Sequence, residues 1–415
     1  MLHTRSLRWT LLFVLAATCQ VSSAADWPQF LGPNRNGISA ETGLIEAWPT
    51  GGLPEIWRSQ VGVGMSGVAV IGDLAFTLTQ TDGQQWCLAL DAKTGRNRWK
   101  AALAPAYENQ MGDGPRATPT IADGRVFVYT GEGILSALSA DNGKLLWSHD
   151  LPKQFGGKPA DYGMACSPLV VGGVVVVQVG APQATVAAFD VASGKAAWNV
   201  GEDGCGYSSP TLLNVRGTQQ IVAFSGGSAL GIAPTAGKLL WRYPFETDYE
   251  CNTATPIAAA GGVLISSGEN HGSALLSVSP AGGAFDVGEQ WTSFGAKSTL
   301  RSEWQTPILL DGYLYGFDNV GSAGPVTHLT CVDAKTGERV WQKTRFGKGN
   351  LIAADGKLFI STMNGELVVA RATPEGYQEL GRQELLDSTR QAPSLANGFL
   401  YLRDNREIVC VKAAR

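Results

Sequence analysis

Ala89-Leu-Asp-Ala-Lys-Thr-Gly95-Arg-Asn-Arg-Trp99 is the stretch on which the reading of this chain turns, because it returns at regular intervals. It comes back as Ala137-Leu-Ser-Ala-Asp-Asn-Gly143-Lys-Leu-Leu-Trp147 and as Ala188-Phe-Asp-Val-Ala-Ser-Gly194-Lys-Ala-Ala-Trp198. Gly231-Ile-Ala-Pro-Thr-Ala-Gly237-Lys-Leu-Leu-Trp241 and Cys331-Val-Asp-Ala-Lys-Thr-Gly337-Glu-Arg-Val-Trp341 repeat it again. Ser277 to Trp291 reads as a degenerate copy with an insertion after Gly283. The terminal tryptophans, Trp99, Trp147, Trp198, Trp241, Trp291 and Trp341, stand 43 to 51 residues apart. That period belongs to a four-stranded blade, and repeated blades make a β-propeller.

Each position of the unit has a physical reason. The first residue is small, as a strand must be where a large ring packs over it. The glycine supplies the positive φ of a hairpin turn, and a preceding Asp or Ser can bond back to the turn backbone. The tryptophan carries more apolar area than a lone four-stranded sheet can bury, so it is expected to wedge against the next blade.

Upstream of each unit lies a second pattern: Thr or Ser, then Pro, a turn, and a β-rich run. Thr118-Pro119, Ser167-Pro168, Ser209-Pro210, Thr255-Pro256 and Thr306-Pro307 all precede such runs. Proline at the first residue of a strand forfeits no needed ladder bond. Val68 to Leu78, Leu351 to Ile360 and Pro393 to Leu402 bring the number of copies to eight. The last copy ends at Ile408-Val-Cys-Val411 without an outer strand, while Leu53-Pro-Glu-Ile-Trp57-Arg58 has no blade of its own. The N-terminal segment is therefore expected to supply the missing strand, close the ring and remove two open edges, with Trp57 in the place of the absent last tryptophan. The expected fold is all-β, an eight-bladed propeller of four-stranded antiparallel blades.

Composition agrees with this. Of 415 residues, 52 are glycine and only 16% are charged, which suits many short strands joined by tight turns. The net charge is −4 and no Lys/Arg block stands out, so nucleic acid is not an expected partner. Arg5 and Arg8, the mostly apolar run Trp9 to Thr18, and the small residues Ser22, Ser23, Ala24 and Ala25 read as a cleavable export signal over residues 1–25. Cleavage is expected near Ala24 or Ala25. Cys19 fits a lipoprotein signal poorly, because Leu15 sits one place too early and Thr18 is not the usual residue. No later apolar stretch is long enough for a transmembrane span. Residues 26–51 read as a strap packing Trp27 and Phe30 onto the propeller of residues 52–415.

The Ala-x-Asp-x-x-x-Gly-x-x-x-Trp unit resembles the tryptophan-docking motif of the quinoprotein propellers. The whole pattern is similar to the pyrroloquinoline-quinone repeat proteins, most closely the eight-bladed BamB-like group, over residues 52 to 415. Asp26-Trp-Pro-Gln-Phe-Leu-Gly-Pro-Asn-Arg-Asn-Gly37 also resembles the start of many exported bacterial proteins of this group. The resemblance implies an exported, non-enzymatic binding or scaffold module of the cell envelope, periplasmic or extracellular, including peripheral placement at the outer membrane. Its implied partner is an envelope protein; the mixed charges and aromatics of the loops at one channel mouth suit a peptide or carbohydrate, and the chain is expected to be a monomer in isolation. The alternative it leaves open is a quinone- and calcium-dependent (PQQ) alcohol or sugar oxidoreductase.

The residues argue for the first. Quinoprotein dehydrogenases hold calcium with Glu, Asn and Asp, and often stack a disulfide of adjacent cysteines on the quinone. The sequence has no Cys-Cys pair, no acidic cluster with calcium-loop spacing and no Cys-x-x-Cys-His haem motif. His149, His271 and His328 fall in different blades, so neither a metal site nor a cofactor is expected. Cys331 and Cys410 read as small packing residues. Cys205 and Cys251 each lie five residues before a strand-starting proline in successive blades, and a disulfide between them is a candidate. The loops entering the inner strands gather charged and aromatic residues at one mouth of the channel, among them Tyr162, Tyr249 and Arg301. Arg116, Tyr207, Asn252, Glu303, Trp304 and Arg390, three or four residues before the prolines, are the candidate ligand-binding set.

Overall fold

Runs such as Arg125–Tyr129 and Ile134–Ser139 are buried on nearly every side chain, whereas Leu145–Asp150 alternates half-buried and exposed. That gradient from apolar inner strands to a half-wet outer strand is what a blade packed face to face in a ring requires. A computed structural model, which describes residues 25–321 and 326–415, places eight such blades around one axis. The expected leader, with Cys19, lies outside the described residues apart from Ala25. Each blade is a four-stranded antiparallel sheet, and seven of them are consecutive in sequence. The eighth joins Ser394–Ala396, Phe399–Arg403 and Glu407–Lys412 to the N-terminal strand Glu55–Gln60, as expected from the unpaired ends.

The register explains the small first position of the repeat. Trp99 lies opposite Ala89, Trp147 opposite Ala137, Trp198 opposite Ala188, Trp341 opposite Cys331 and Trp57 opposite Cys410. In the degenerate fifth blade the partner of Trp291 is Leu275 rather than the expected Ser277, because that hairpin runs on in register to Ala281 and Ala284.

Each ring then reaches the next blade. The indole N–H of Trp57, Trp99, Trp147, Trp198 and Trp291 donates to the carbonyl of Ala92, Ala140, Val191, Pro234 and Ala334, at 2.9 to 3.2 Å. Trp341 donates to Thr373 at 2.8 Å. A Cβ on the motif glycine below five of these rings (Gly95, Gly143, Gly194, Gly237, Gly337) would come within 2.5 to 2.7 Å of the indole. Glycine is thus required there twice, for its positive φ and for the close approach.

Two blades depart from the pattern. Trp241 does not bond to the following blade, whose extended hairpin offers no motif turn; its N–H donates to Gln220 Oε1 at 2.6 Å and its ring lies against Gly231. It still packs with Val263 and Val278 of the fifth blade. In the seventh blade the tryptophan position is Gly381, and the strap supplies Trp48 to cover it, 2.1 Å from where a Cβ would stand.

The Thr/Ser-Pro pairs have a use beyond strand starting. Gly67, Thr118 and Ser167 each donate their backbone N–H to the hydroxyl of Thr118, Ser167 and Ser209 in the next blade, at 2.9 to 3.1 Å. Thr255 donates to Thr306 in the same way at 3.0 Å. Strands too short and too splayed to pair at the axis are linked by side-chain hydroxyls instead.

The strap closes one end of the channel. Trp27 pairs with Val70 of the first blade, Ile38 with Ala353 of the seventh and Leu44 with Ala414 of the eighth. Between them Arg35, 2% exposed, donates to the carbonyls of Ser167 (3.1 Å), Pro168 and Pro210 (2.8 Å) and to the Thr120 hydroxyl. Segments 26–51 and 55–60 thus plug and close a ring whose blades come from the rest of the chain.

Candidate functional site

Plugging one end leaves a cavity of about 550 Å³ open at the other, within the range of ligand pockets. Its floor is Trp27, Phe30 and Leu31 of the strap. The wall follows a positional rule. The residue three places before each inner-strand proline, Arg116, Ala165, Tyr207, Thr253, Trp304 or Arg390, lines it in six blades.

Of the expected residues, Arg116, Tyr207, Glu303, Trp304 and Arg390 meet here. Asn252 does not. Fully buried, it donates Nδ2 to the carbonyls of Ser225 (2.7 Å) and Phe245 (3.1 Å) and holds the loop below the mouth. Arg301 is likewise turned inward, onto Asp318 at 2.6 Å.

Trp304 is the centre of a cationic cluster. Lys348 Nζ lies 4.2 Å and the Arg390 guanidinium 5.0 Å from its ring centroid, within cation–π range. Lys348 also pairs with the Glu303 carboxylate at 2.8 Å, and Asn319 donates to the same carboxylate at 2.9 Å. Burial raises the Glu303 pKa, and Lys348 draws it back down. Arg390 donates to the Met111 carbonyl at 2.7 Å, and Arg116 to those of Tyr162 and Gly112, both at 2.7 Å. Two arginines of the wall therefore also hold the loops that form it.

Elsewhere on the wall Tyr162 stacks on Tyr207 at 5.8 Å, with Tyr249 at 6.4 Å and largely exposed. Met65 and Met111 also line it. Lys348 and the two methionines were missed from sequence. Lys348 precedes an inner strand that has no proline, and the methionines sit in loops outside the repeat.

The expected disulfide does not form. Cys205 is buried against the third blade, where a Cβ on Gly180 would come within 2.5 Å of its own Cβ, and it packs with Cys166 and Val179. Cys251 instead faces the cavity, its thiol pushed up to about 12 by burial. All six described cysteines are free. Thiol titration in denaturant is expected to give the same count with and without prior reduction. A count rising by two after reduction would contradict this packing.

The calcium-held quinone of the alternative reading needs an open set of oxygen donors. Among the described residues no three His, Cys, Asp or Glu side chains are grouped to hold a metal ion, and of the wall carboxylates Glu269 and Glu303 the latter is engaged by Lys348 and Asn319. The histidines stay apart. His149 meets the Gly194 carbonyl and stacks on Phe189, while His328 accepts from the Arg345 N–H at 2.8 Å.

Fold and cavity define a quinoprotein-like eight-bladed propeller with a plugged channel and an aromatic, cationic mouth. The chain belongs to the family described as outer membrane protein assembly factor BamB, whose sequence model matches residues 43–148 and 83–343. It is 22% identical over 295 residues to outer membrane protein assembly factor BamB of Yersinia pestis, covering 67% of this chain and 69% of the relative. Among solved structures, BamB from Moraxella catarrhalis superposes with a TM-score of 0.60 at 14% identity, over 87% of this chain and 97% of that one. Quinohemoprotein alcohol dehydrogenase from Comamonas testosteroni superposes with a TM-score of 0.65 at 14% identity, over 94% and 80%.

Proposed function

We propose that this protein is a non-enzymatic scaffold of the cell envelope that takes part in outer membrane protein assembly and binds a segment of a partner protein at the open channel mouth. Family membership over residues 43–343 is the observation that carries this reading. The mouth supports it. Methionines and exposed aromatics offer adaptable apolar contact, and the Trp304 cluster offers a charged anchor. No helix among the described residues is long and apolar enough to cross a membrane, and the sequence of residues 1–25 reads as an export signal. On this reading the protein acts outside the cytoplasm, needs no cofactor and is a monomer when isolated.

Photocrosslinking from the mouth in an envelope fraction is the test. A partner belonging to outer membrane protein assembly is expected. Central aromatic anchors dominate such contacts, so Trp304→Ala is expected to weaken capture by about tenfold or more. Its thermal midpoint should change little, because the ring lines a cavity. Dye reduction that depends on added quinone and calcium would overturn the scaffold reading.

A further inference from the structure

Glu41 of the strap is a carboxylate with no access to water, at 0% exposure. Its Oε2 accepts the Gly398 N–H at 2.7 Å, and the backbone N–H groups of Asn397 and Ala25 also face it. Its other oxygen, Oε1, has no hydrogen-bond partner among the described residues. A buried carboxylate left half-satisfied is costly, and burial raises its pKa. What the pocket lacks is one more donor and a positive charge.

The nitrogen of Ala25 is already in place. Asp26 accepts the Gly72 N–H at 2.8 Å and Trp27 pairs with Val70, so the residues after Ala25 are pinned to the first blade. In the intact chain that nitrogen is an amide with a single N–H. The small residues Ser22 and Ala24 make the Ala24–Ala25 bond a cleavage site, although Ser23 and Ala25 allow Ala25–Asp26 equally well.

We propose that Glu41 is the receptor for the α-ammonium group released when the leader is cut between Ala24 and Ala25, so that processing completes the plug. A peptidase of the envelope adds water across the amide. Ala24 leaves with the new carboxylate, and the Ala25 nitrogen takes up protons to become an ammonium with three N–H donors. One keeps the existing contact, another is available to Oε1, and the positive charge compensates the buried negative one. Charge-assisted bonds of this kind are roughly twice as strong as neutral ones, and a buried carboxylate gains most from them. The site thereby distinguishes two cleavage bonds that the sequence leaves equal.

The proposal rests on the export reading but not on the scaffold role, and its test separates the two. N-terminal sequencing of the exported protein is expected to begin at Ala25. Acetylation by an amine-reactive ester, with surface lysines as internal reference, is expected to be at least tenfold slower at the α-amine of the native protein than in Glu41→Gln. Should that variant fold poorly, native protein carrying one extra glycine before Ala25 serves instead. Its displaced amine is expected to label at the fast rate. A chain beginning at Asp26, or equal labelling of the α-amine in native, variant and extended proteins, would overturn the proposal and leave partner binding untouched.

Discussion

Replacing Trp57 by alanine is expected to lower stability by about 3–5 kcal/mol, the loss typical of a buried tryptophan. Trp57 is 7% exposed, lies 5.9 Å from the Tyr401 ring, and donates to Ala92 of the first blade at 2.9 Å. It stands where the two ends of the chain meet, so its loss opens the seam between the eighth and first blades as well as leaving a cavity. Trp241 provides the control. It has the same size and is also buried, but it donates to its own blade. Chemical denaturation should show Trp57→Ala to be the more damaging substitution. A smaller midpoint change for Trp57→Ala than for Trp241→Ala would contradict closure by the N-terminal strand.

Arg35→Ala is the second large effect, expected at about 3 kcal/mol or more, because removing one charged partner strands several buried acceptors. The guanidinium serves carbonyls of the segments entering the third and fourth blades and a hydroxyl of the second. Its planar fork reaches them together, which a lysine ammonium cannot do, so Arg35→Lys should recover little. Hydrogen exchange offers a local readout. Inner strands Thr120–Ala122 and Leu169–Val171 should lose protection before the outer strands do. Uniform protection in Arg35→Ala would show that the plug does not hold the axis.

Much of the cavity wall was legible because the repeat fixes where each inner strand begins. Arg116, Tyr207, Trp304 and Arg390 occupy one repeat position, and the structure turns all four toward the axis. Asn252 and Glu303 stand one residue earlier, where the loop turns inward. Both are buried, and only Glu303 reaches the wall, through its pair with Lys348. Spacing from the proline located the loop but not the direction of its side chains. The Cys205–Cys251 pairing failed for the same reason, since equivalent positions in a ring can face different neighbours.

What the sequence determined by itself was the ring: blade count, the residue opposite the tryptophan of every regular copy, and the N-terminal strand that closes it. These follow from periodic local demands, a small residue under a ring and a glycine in a turn, that each repeat must meet alone. Only the tertiary structure decided what fills the channel. Arg35, Glu41 and Trp48 lie in a segment without repeat or regular strand pattern. Their partners, Pro210, Gly398 and Gly381, are brought to them only when the ring has closed. Contacts of that separation carry no local periodicity, so no pattern along the chain announces them.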